Sequence, residues 1–336
     1  MYDSAIAHIV YASDDGFAEI LGVSLVSLFE NSGDMKEIRV YILDSGISKH
    51  NREKIEEVCI RYQRSLPVWL KARNITEELG MRVATDRGSL SQFARLFVAS
   101  DLPDGLERVL YLDCDIIIEK SIKELWNLDM HGKTIAALND AFSKYYRANI
   151  GLQPNDIMFN SGVMLIDLNR WKEQKVEEKL LQFITRKHGD IQQGDQGALN
   201  AVLSHDAYCF DPRFNSVTIF YDFNYQELLT YRKPIGGYYS EAEVKLAADD
   251  PTIIHFTTSF ISKRPWMIGC NHRYCGEWLK YKAMSPWKDE PLRKDNRSSL
   301  RQKGLKVFKL LPRGLAIHIA GFFQAYGRPI KNRIRK

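Results

Sequence analysis

The sequence predicts an α/β fold built around a mostly parallel central sheet, on two observations. Strand-like and helix-like stretches alternate through the first half of the chain. The most apolar strand-like stretch, VLYLDCDIIIEK at 109–120, is rich in Val, Leu, Tyr and Ile and lacks glycine and proline, as strands covered on both faces do. In order, residues 5–12 form a first strand, SDDG a turn, and 17–30 an amphipathic helix closed by NSG. A second strand at 38–43 ends in DSG, a helix covers 48–59, and a third strand lies near 68–72. A loop-rich stretch leads to a helix at 90–102, and the strand at 109–120 follows. TIAALND and FNSGVMLIDL are strand-like, and 170–187 is a helix with an exposed charged face. With no repeat and no low-complexity linker before the C-terminal tail, residues 1–285 form one domain.

The chain has 336 residues, 45% hydrophobic and 26% charged, enough for a sizeable core. No run approaches the ~18 to 20 apolar residues of a membrane helix, and the N-terminus lacks a signal-peptide pattern, so a cytoplasmic location is expected. The five cysteines are then expected as reduced thiols. Cys270, His272 and Cys275 match no usual zinc spacing and are expected as packing residues. Charge is unevenly spread: residues 286–336 hold 14 Lys and Arg against 3 Asp and Glu, the remainder 33 against 39. The tail mixes these bases, through Arg335 and Lys336, with bulky apolar residues such as Phe308, Leu311, Phe322 and Phe323. It is expected as a second unit, lying on an anionic inner membrane leaflet. A docked helix with a solvated basic end, or a nucleic-acid arm, are the alternatives. The acidic body offers no second basic face and no nucleic-acid motif, which disfavours the last.

Asp113 and Asp115 interrupt the apolar run. On a continuous strand they face the same way, about 6 to 7 Å apart at Cα, with Cys114 opposite. Two buried, unpaired carboxylates are too costly, so they lie at a strand end near solvent, bind a metal, or are partly protonated. Ligands in such folds sit beyond the carboxyl ends of the strands, where the turn Asp14, Asp15, Gly16 also falls. No Walker or Gly-x-Gly-x-x-Gly sequence is present, which points away from P-loop and dinucleotide enzymes.

An ordered set of segments between about 6 and 280 carries a family resemblance: IVYASDDGF, DSGIS, SQFARLFVASDLP, VLYLDCDIII, FNSGVMLIDLNRW, GDQGALNAVL, FNS and IIHFTTSFISKRPW. The chain resembles the retaining glycosyltransferases of family 8, bacterial lipopolysaccharide and capsule galactosyl- and glucosyltransferases with a GT-A fold. The resemblance implies transfer of a hexose from a UDP-sugar to an acceptor hydroxyl, with Mn²⁺ or Mg²⁺ held by Asp113, Asp115 and His255. It implies donor contacts from Arg95, uridine contacts near Ala12 and Asp14, diphosphate contacts from Lys263 and Arg264, and donor-sugar contacts from Asn160, Asp195 and Gln196. Taken alone, Asn160 is a turn residue and Asp195 an ordinary helix N-cap. Gln196 matches the position at the reactive face. A neutral amide is a poor nucleophile, so the expected route is front-face, the acceptor's proton passing to the departing phosphate oxygen. The acceptor is expected to be a saccharide or lipid-linked oligosaccharide.

The chain departs from the family pattern at Gly16, usually Asn, at Thr258, near which the family has Gly, and in the longer 255–266 segment. A catalytically silent sugar-nucleotide or glycan-binding partner on the same fold is the alternative function. A phosphatase of the haloacid dehalogenase type is disfavoured, because its Asp-x-Asp sits on the first strand and precedes Gly and Thr, whereas Ile116 and Ile117 follow here.

Overall fold

A computed structural model describes residues 5–85, 89–295 and 297–334. The main sheet has seven strands in the order β3-β2-β1-β4-β7-β6-β8. These are β1 (Ile6–Ser13), β2 (Glu37–Asp44), β3 (Val68–Lys71), β4 (Arg108–Leu112), β6 (Ile135–Asn139), β7 (Phe159–Asp167) and β8 (Ala207–Cys209). β1 runs parallel to β2 and β4, β2 to β3 and β6 to β8, while β7 is antiparallel to both neighbours. The expected mostly parallel α/β sheet is therefore present. Its faces carry separate cores: Ile9, Tyr11, Leu110 and Leu112 pack on one side, Val10, Val109 and Tyr111 on the other. Period-two alternation in two apolar environments explains why these strands show so little polar patterning.

The expected single strand over 109–120 is in fact two. β4 stops at Leu112, and Ile116–Ile118 forms β5 in a second sheet, between β9 (Ser216–Val217) and β10 (Ile253–His255) in the order β5-β10-β9. Asp113 N–H donates to Gly162 O at 2.7 Å, whereas Asp115 O accepts from Phe256 N at 2.9 Å. The chain thus leaves β7 and joins β10 within three residues. Asp113 and Asp115 occupy the crossing, at the carboxyl end of β4.

Two expected helices are also divided. Residues 90–102 form a 3₁₀ segment, Ser91–Phe97, followed by the short helix Val98–Asp101. Residues 170–187 split at Lys175, whose φ of 54° separates Leu168–Glu173 from Val176–Arg186. Cys270 and Cys275 form a disulfide with Cα atoms 6.4 Å apart, correcting the expectation of five reduced thiols. His272 between them packs as expected, its ring centroid 4.9 Å from those of both Phe256 and Tyr221.

The tail does not separate from the body at 285. Trp287 is buried against Gly22, where a Cβ would meet its ring within 2.8 Å, and its Nε1–H donates to Asn51 Oδ1 at 3.1 Å. Arg293 donates to Gly16 O at 2.8 Å and pairs with Glu19 at 3.1 Å. Beyond Arg297, helix Ser299–Leu310 turns at Pro312 into Arg313–Phe322, which continues through Phe323–Gly327 into Arg328–Ile334. The second arm docks through buried Ala316, Ile317, Gly321 and Ala325, and a Cβ on Gly321 would lie 2.7 Å from Thr230 O. Arg335 and Lys336 lie outside the described residues. Among the described residues, no helix is long and apolar enough to cross a membrane.

Candidate active site

The crossing from β4 to β5 brings two acids opposite the end of β10. One oxygen each from Asp113 and Asp115 and one nitrogen of His255 lie within 4.8 Å of one another. His255 Nε2 is 3.2 Å from Asp115 Oδ1 and 3.7 Å from Asp113 Oδ2. Three like-purposed atoms converge because β7 presents glycine to them. A Cβ on Gly162 would sit 2.8 Å from His255 Nδ1 and 2.9 Å from Asp113 Oδ2, and closer still to His255 Cε1. Two carboxylate oxygens and one imidazole nitrogen form a donor set suited to Mn²⁺ or Mg²⁺.

Each member is held from behind. Asn215 Nδ2 donates to Asn160 Oδ1 at 3.0 Å, which aims Asn215 Oδ1 at His255 Nδ1, also 3.0 Å away. Nδ1 therefore carries the hydrogen and Nε2 offers its lone pair to the cluster, the usual outer support of a metal-binding histidine. Asn160 is fixed by Gly162 N at 3.0 Å and by Asp140 Oδ2 at 3.3 Å. Neither Asn215 nor Asp140 was singled out from sequence; FNS at 214–216 and the acid closing TIAALND were the available signals.

Arg95 lies deep in the site. Its guanidinium donates to Asp113 Oδ1 at 2.6 Å and Ser161 O at 2.7 Å, pairs with Asp195 Oδ2 at 3.0 Å, and lies over the Tyr111 ring at 4.4 Å. Burial opposes its charge, but the coulombic pull of Asp113, Tyr111 and Asp195 outweighs that and holds its pKa above the ordinary arginine value. In this structure Arg95 orients two acids. Asp195 and Gln196 sit in the first turn of helix Gly194–Leu203, and Gln196 Oε1 accepts from Ser161 N at 3.3 Å. Asn200 on the same helix bonds both Phe159 N and Phe159 O, at 2.7 and 2.9 Å, pinning it to β7.

The basic pair separates. Arg264 donates to Thr258 Oγ1 at 2.7 Å and is 3.2 Å from Asp115 Oδ2, beside the cluster. Lys263 instead reaches Ile268 O at 3.2 Å and Asp295 at 3.4 Å. Asp222 ties down the loop between them and His255: Ser259 and Ser262 both donate to its carboxylate. Burial pushes the Asp222 pKa up, with the serine hydrogen bonds opposing. Ala12 and Asp14 close β1 near Cys114, whose thiol bonds Ala12 O at 3.3 Å, while Asp14 Oδ2 accepts from Ser89 at 2.7 Å. Arg293 reaches the carbonyl of Gly16, the position where the family usually carries Asn.

Comparison with known proteins agrees with this arrangement. Residues 8–267 match the family described as Glycosyl transferase family 8. General stress protein A of Bacillus subtilis (strain 168) is 30% identical over 292 residues, 85% of this chain and 96% of that protein. A lipopolysaccharide 1,2-glucosyltransferase of Escherichia coli (strain K12) is 25% identical over 290 residues, covering 85% of this chain and 80% of its own length. Among solved structures, galactosyltransferase LgtC with donor and acceptor sugar analogs superposes with a TM-score of 0.68 at 24% identity, over 83% of this chain and 96% of that one. The last likeness shows the fold, the GT-A arrangement expected from sequence. A family match across most of the chain and a near full-length relative at 30% identity show that the chain is an enzyme belonging to glycosyl transferase family 8.

Proposed function

We propose that this glycosyltransferase moves galactose or glucose from a UDP-sugar to a saccharide hydroxyl, with retention of configuration and with Mn²⁺ or Mg²⁺. Its product is a cell-surface polysaccharide or lipopolysaccharide. Support comes chiefly from one observation, the convergence of Asp113, Asp115 and His255. The names of the glucosyltransferase and galactosyltransferase relatives point to a hexose.

The side chains divide the work. Asp113, Asp115 and His255 would hold the cation, whose chemistry when bound would be Lewis-acid neutralisation of a diphosphate leaving group. Arg264, anchored at Thr258, adds a guanidinium beside the same leaving group. Arg95 keeps Asp113 and Asp195 in register. Gln196 presents a neutral carboxamide, and the Asp195 carboxylate is buried against Arg95. Neither is a free anionic nucleophile, which favours front-face attack by the acceptor hydroxyl, its proton passing to the departing phosphate oxygen. Ala12, Asp14, Lys263 and Asn160 complete the donor contacts.

The enzyme works on the inner face of the cell membrane as a peripheral protein, bound through the hairpin of residues 299–334. That segment holds no acidic residue, and Val307, Leu310, Phe322, Phe323, Ile330 and Ile334 stand exposed on it.

The test is UDP release from a panel of UDP-sugars, with Mn²⁺ or with EDTA, for the parent chain and Asp115→Ala. Metal-dependent turnover of one UDP-hexose, at least about a hundredfold lower in the variant, is expected. Turnover insensitive to EDTA would overturn the metal's role, and no metal-dependent UDP binding by calorimetry would overturn the UDP-sugar donor.

A further inference from the structure

A cavity of ≈ 700 Å³ lies between the C-terminal hairpin and the body, within the roughly 300 to 1,000 Å³ of small-molecule sites. Its walls are apolar and come from both units: Phe223, Tyr231 and Phe260 from the body, Leu305, Phe308 and Ile319 from the hairpin. The Phe260 and Phe308 rings meet edge to face at 5.0 Å across the seam. Arg232 and Arg328 also line it.

These two arginines differ from their neighbour Arg313, which pairs with Glu227 at 2.6 Å. Arg232 lies 5.7 Å over the Phe142 ring, and its Nε is buried without a hydrogen-bond partner. Arg328 bonds Gln324 Oε1 at 3.5 Å and the Tyr146 hydroxyl, and the charges of both arginines act on Tyr146. Two guanidiniums with no carboxylate partner among the described residues, at the edge of an apolar cavity, are complementary to an amphiphile with an anionic head.

The cavity's position relates it to the reaction. Thr258 and Ser259 form part of its wall, and Thr258 anchors Arg264 beside Asp115. Phe142, under Arg232, stands two residues beyond Asp140, which bonds Asn160. Arg232 thus marks the side of the cavity where Phe142 leads back along the chain to Asp140 and Asn160. We propose that the cavity seats the lipid chain of the acceptor, with the phosphate joining that chain to the glycan held by Arg232 and Arg328. The inference rests on the glycosyl-transfer reading and names the acceptor class: a saccharide joined through phosphate to a single long apolar chain. Bilayer phospholipid is the other source of such chemistry, and it meets the exposed outer face of the hairpin instead.

The test uses the full chain and calorimetry with farnesyl phosphate below its aggregation concentration, with farnesol and inorganic phosphate as comparators. Farnesyl phosphate is expected to bind at least about tenfold tighter than farnesol, and phosphate alone not to bind. The double variant Arg232→Gln, Arg328→Gln should weaken farnesyl phosphate binding about tenfold and leave farnesol unchanged. Ala320→Trp, which fills the cavity, should abolish both. Vesicles containing phosphatidylglycerol should bind all variants alike, and UDP-sugar hydrolysis should persist in all, which also certifies their folding. Equal binding of farnesyl phosphate and farnesol, or variants indistinguishable from the parent, overturns the lipid site. So do variants that change vesicle binding alone. If lipid binding behaves as expected while no UDP-sugar is turned over, the glycosyl-transfer reading fails and the lipid site stands.

Discussion

The catalytic cluster and the C-terminal hairpin solve opposite problems. Around Asp113, Asp115 and His255 the polar side chains are largely buried among charged and polar neighbours: Arg95 holds Asp113, Asn215 holds His255, and Arg264 lies 3.2 Å from Asp115. On the hairpin, apolar side chains are exposed and few contacts hold them, with Phe322 and Phe323 59% and 65% accessible. Buried polarity is tolerated only when fully partnered. Exposed apolar surface in a contiguous patch marks a contact with something else. If the cluster carries the chemistry and the hairpin the membrane contact proposed above, single changes should damage one and spare the other.

The largest expected effect tests the rigidity of the cluster. Gly162→Val places atoms where His255 and Asp113 stand, so donor hydrolysis should fall by about a thousandfold or more. Vesicle binding should be unchanged, and a parallel loss of both activities would show that the two regions are not independent. Next is acid. His272 sits behind the catalytic loop, and burial lowers its pKa from 6.5 to about 4. The unfolded chain protonates this ring near its ordinary value while the folded one resists. Stability contributed by the neutral form is therefore present above the unfolded pKa and lost as pH falls through the folded one. Urea unfolding of the parent and His272→Phe between pH 7 and 4 should show the parent losing about 3 kcal/mol more than the variant. A vesicle-binding profile that tracks the His272 transition over that range would link the regions.

Asn215→Ala removes the acceptor that fixes the His255 ring. Metal affinity, read by isothermal titration of Mn²⁺, should weaken by roughly 10 to 100-fold, and unaltered affinity would remove Asn215 from the site. The smallest effect lies on the other side of the comparison. Phe322→Ser with Phe323→Ser should lower the partition onto anionic vesicles about tenfold and leave hydrolysis of the soluble donor untouched, as measured by sedimentation and UDP release.

Much of the fold was legible because β1, β2 and β4 show strong apolar runs bounded by turn chemistry, and that pattern needs no tertiary information. The division of 109–120 was not. Ile116–Ile118 is as apolar in the second sheet as it would be in the first, so periodicity cannot register a change of partner. The metal-type cluster was legible through an ordered set of motifs rather than through Asp-x-Asp itself. Its supports were less so, since Asn215 and Asp140 look like ordinary turn and strand-end residues until β6, β7 and β10 bring them together. Gly162 did carry a signal: a glycine inside FNSGVMLID is unusual unless another group approaches closely. The disulfide was not legible, because a count of cysteines does not say which two thiols the fold brings together.

Trp287 has a practical meaning for anyone shortening this enzyme. Its indole closes over Gly22, Lys54 lies above it at 5.4 Å, and the Lys282 ammonium beneath is held by Glu19 and by Trp287 O, both at 2.6 Å. A chain cut at the charge boundary near 285 loses this plug and uncovers the helix Ala18–Asn31, a defect comparable to the roughly 3 to 5 kcal/mol of a buried tryptophan deletion. A cut after 298 keeps the plug and removes the hairpin, baring Phe223, Tyr231 and Phe260 on the body instead. The boundary for a well-behaved soluble catalyst is thus set by packing, a dozen residues beyond the place where composition changes.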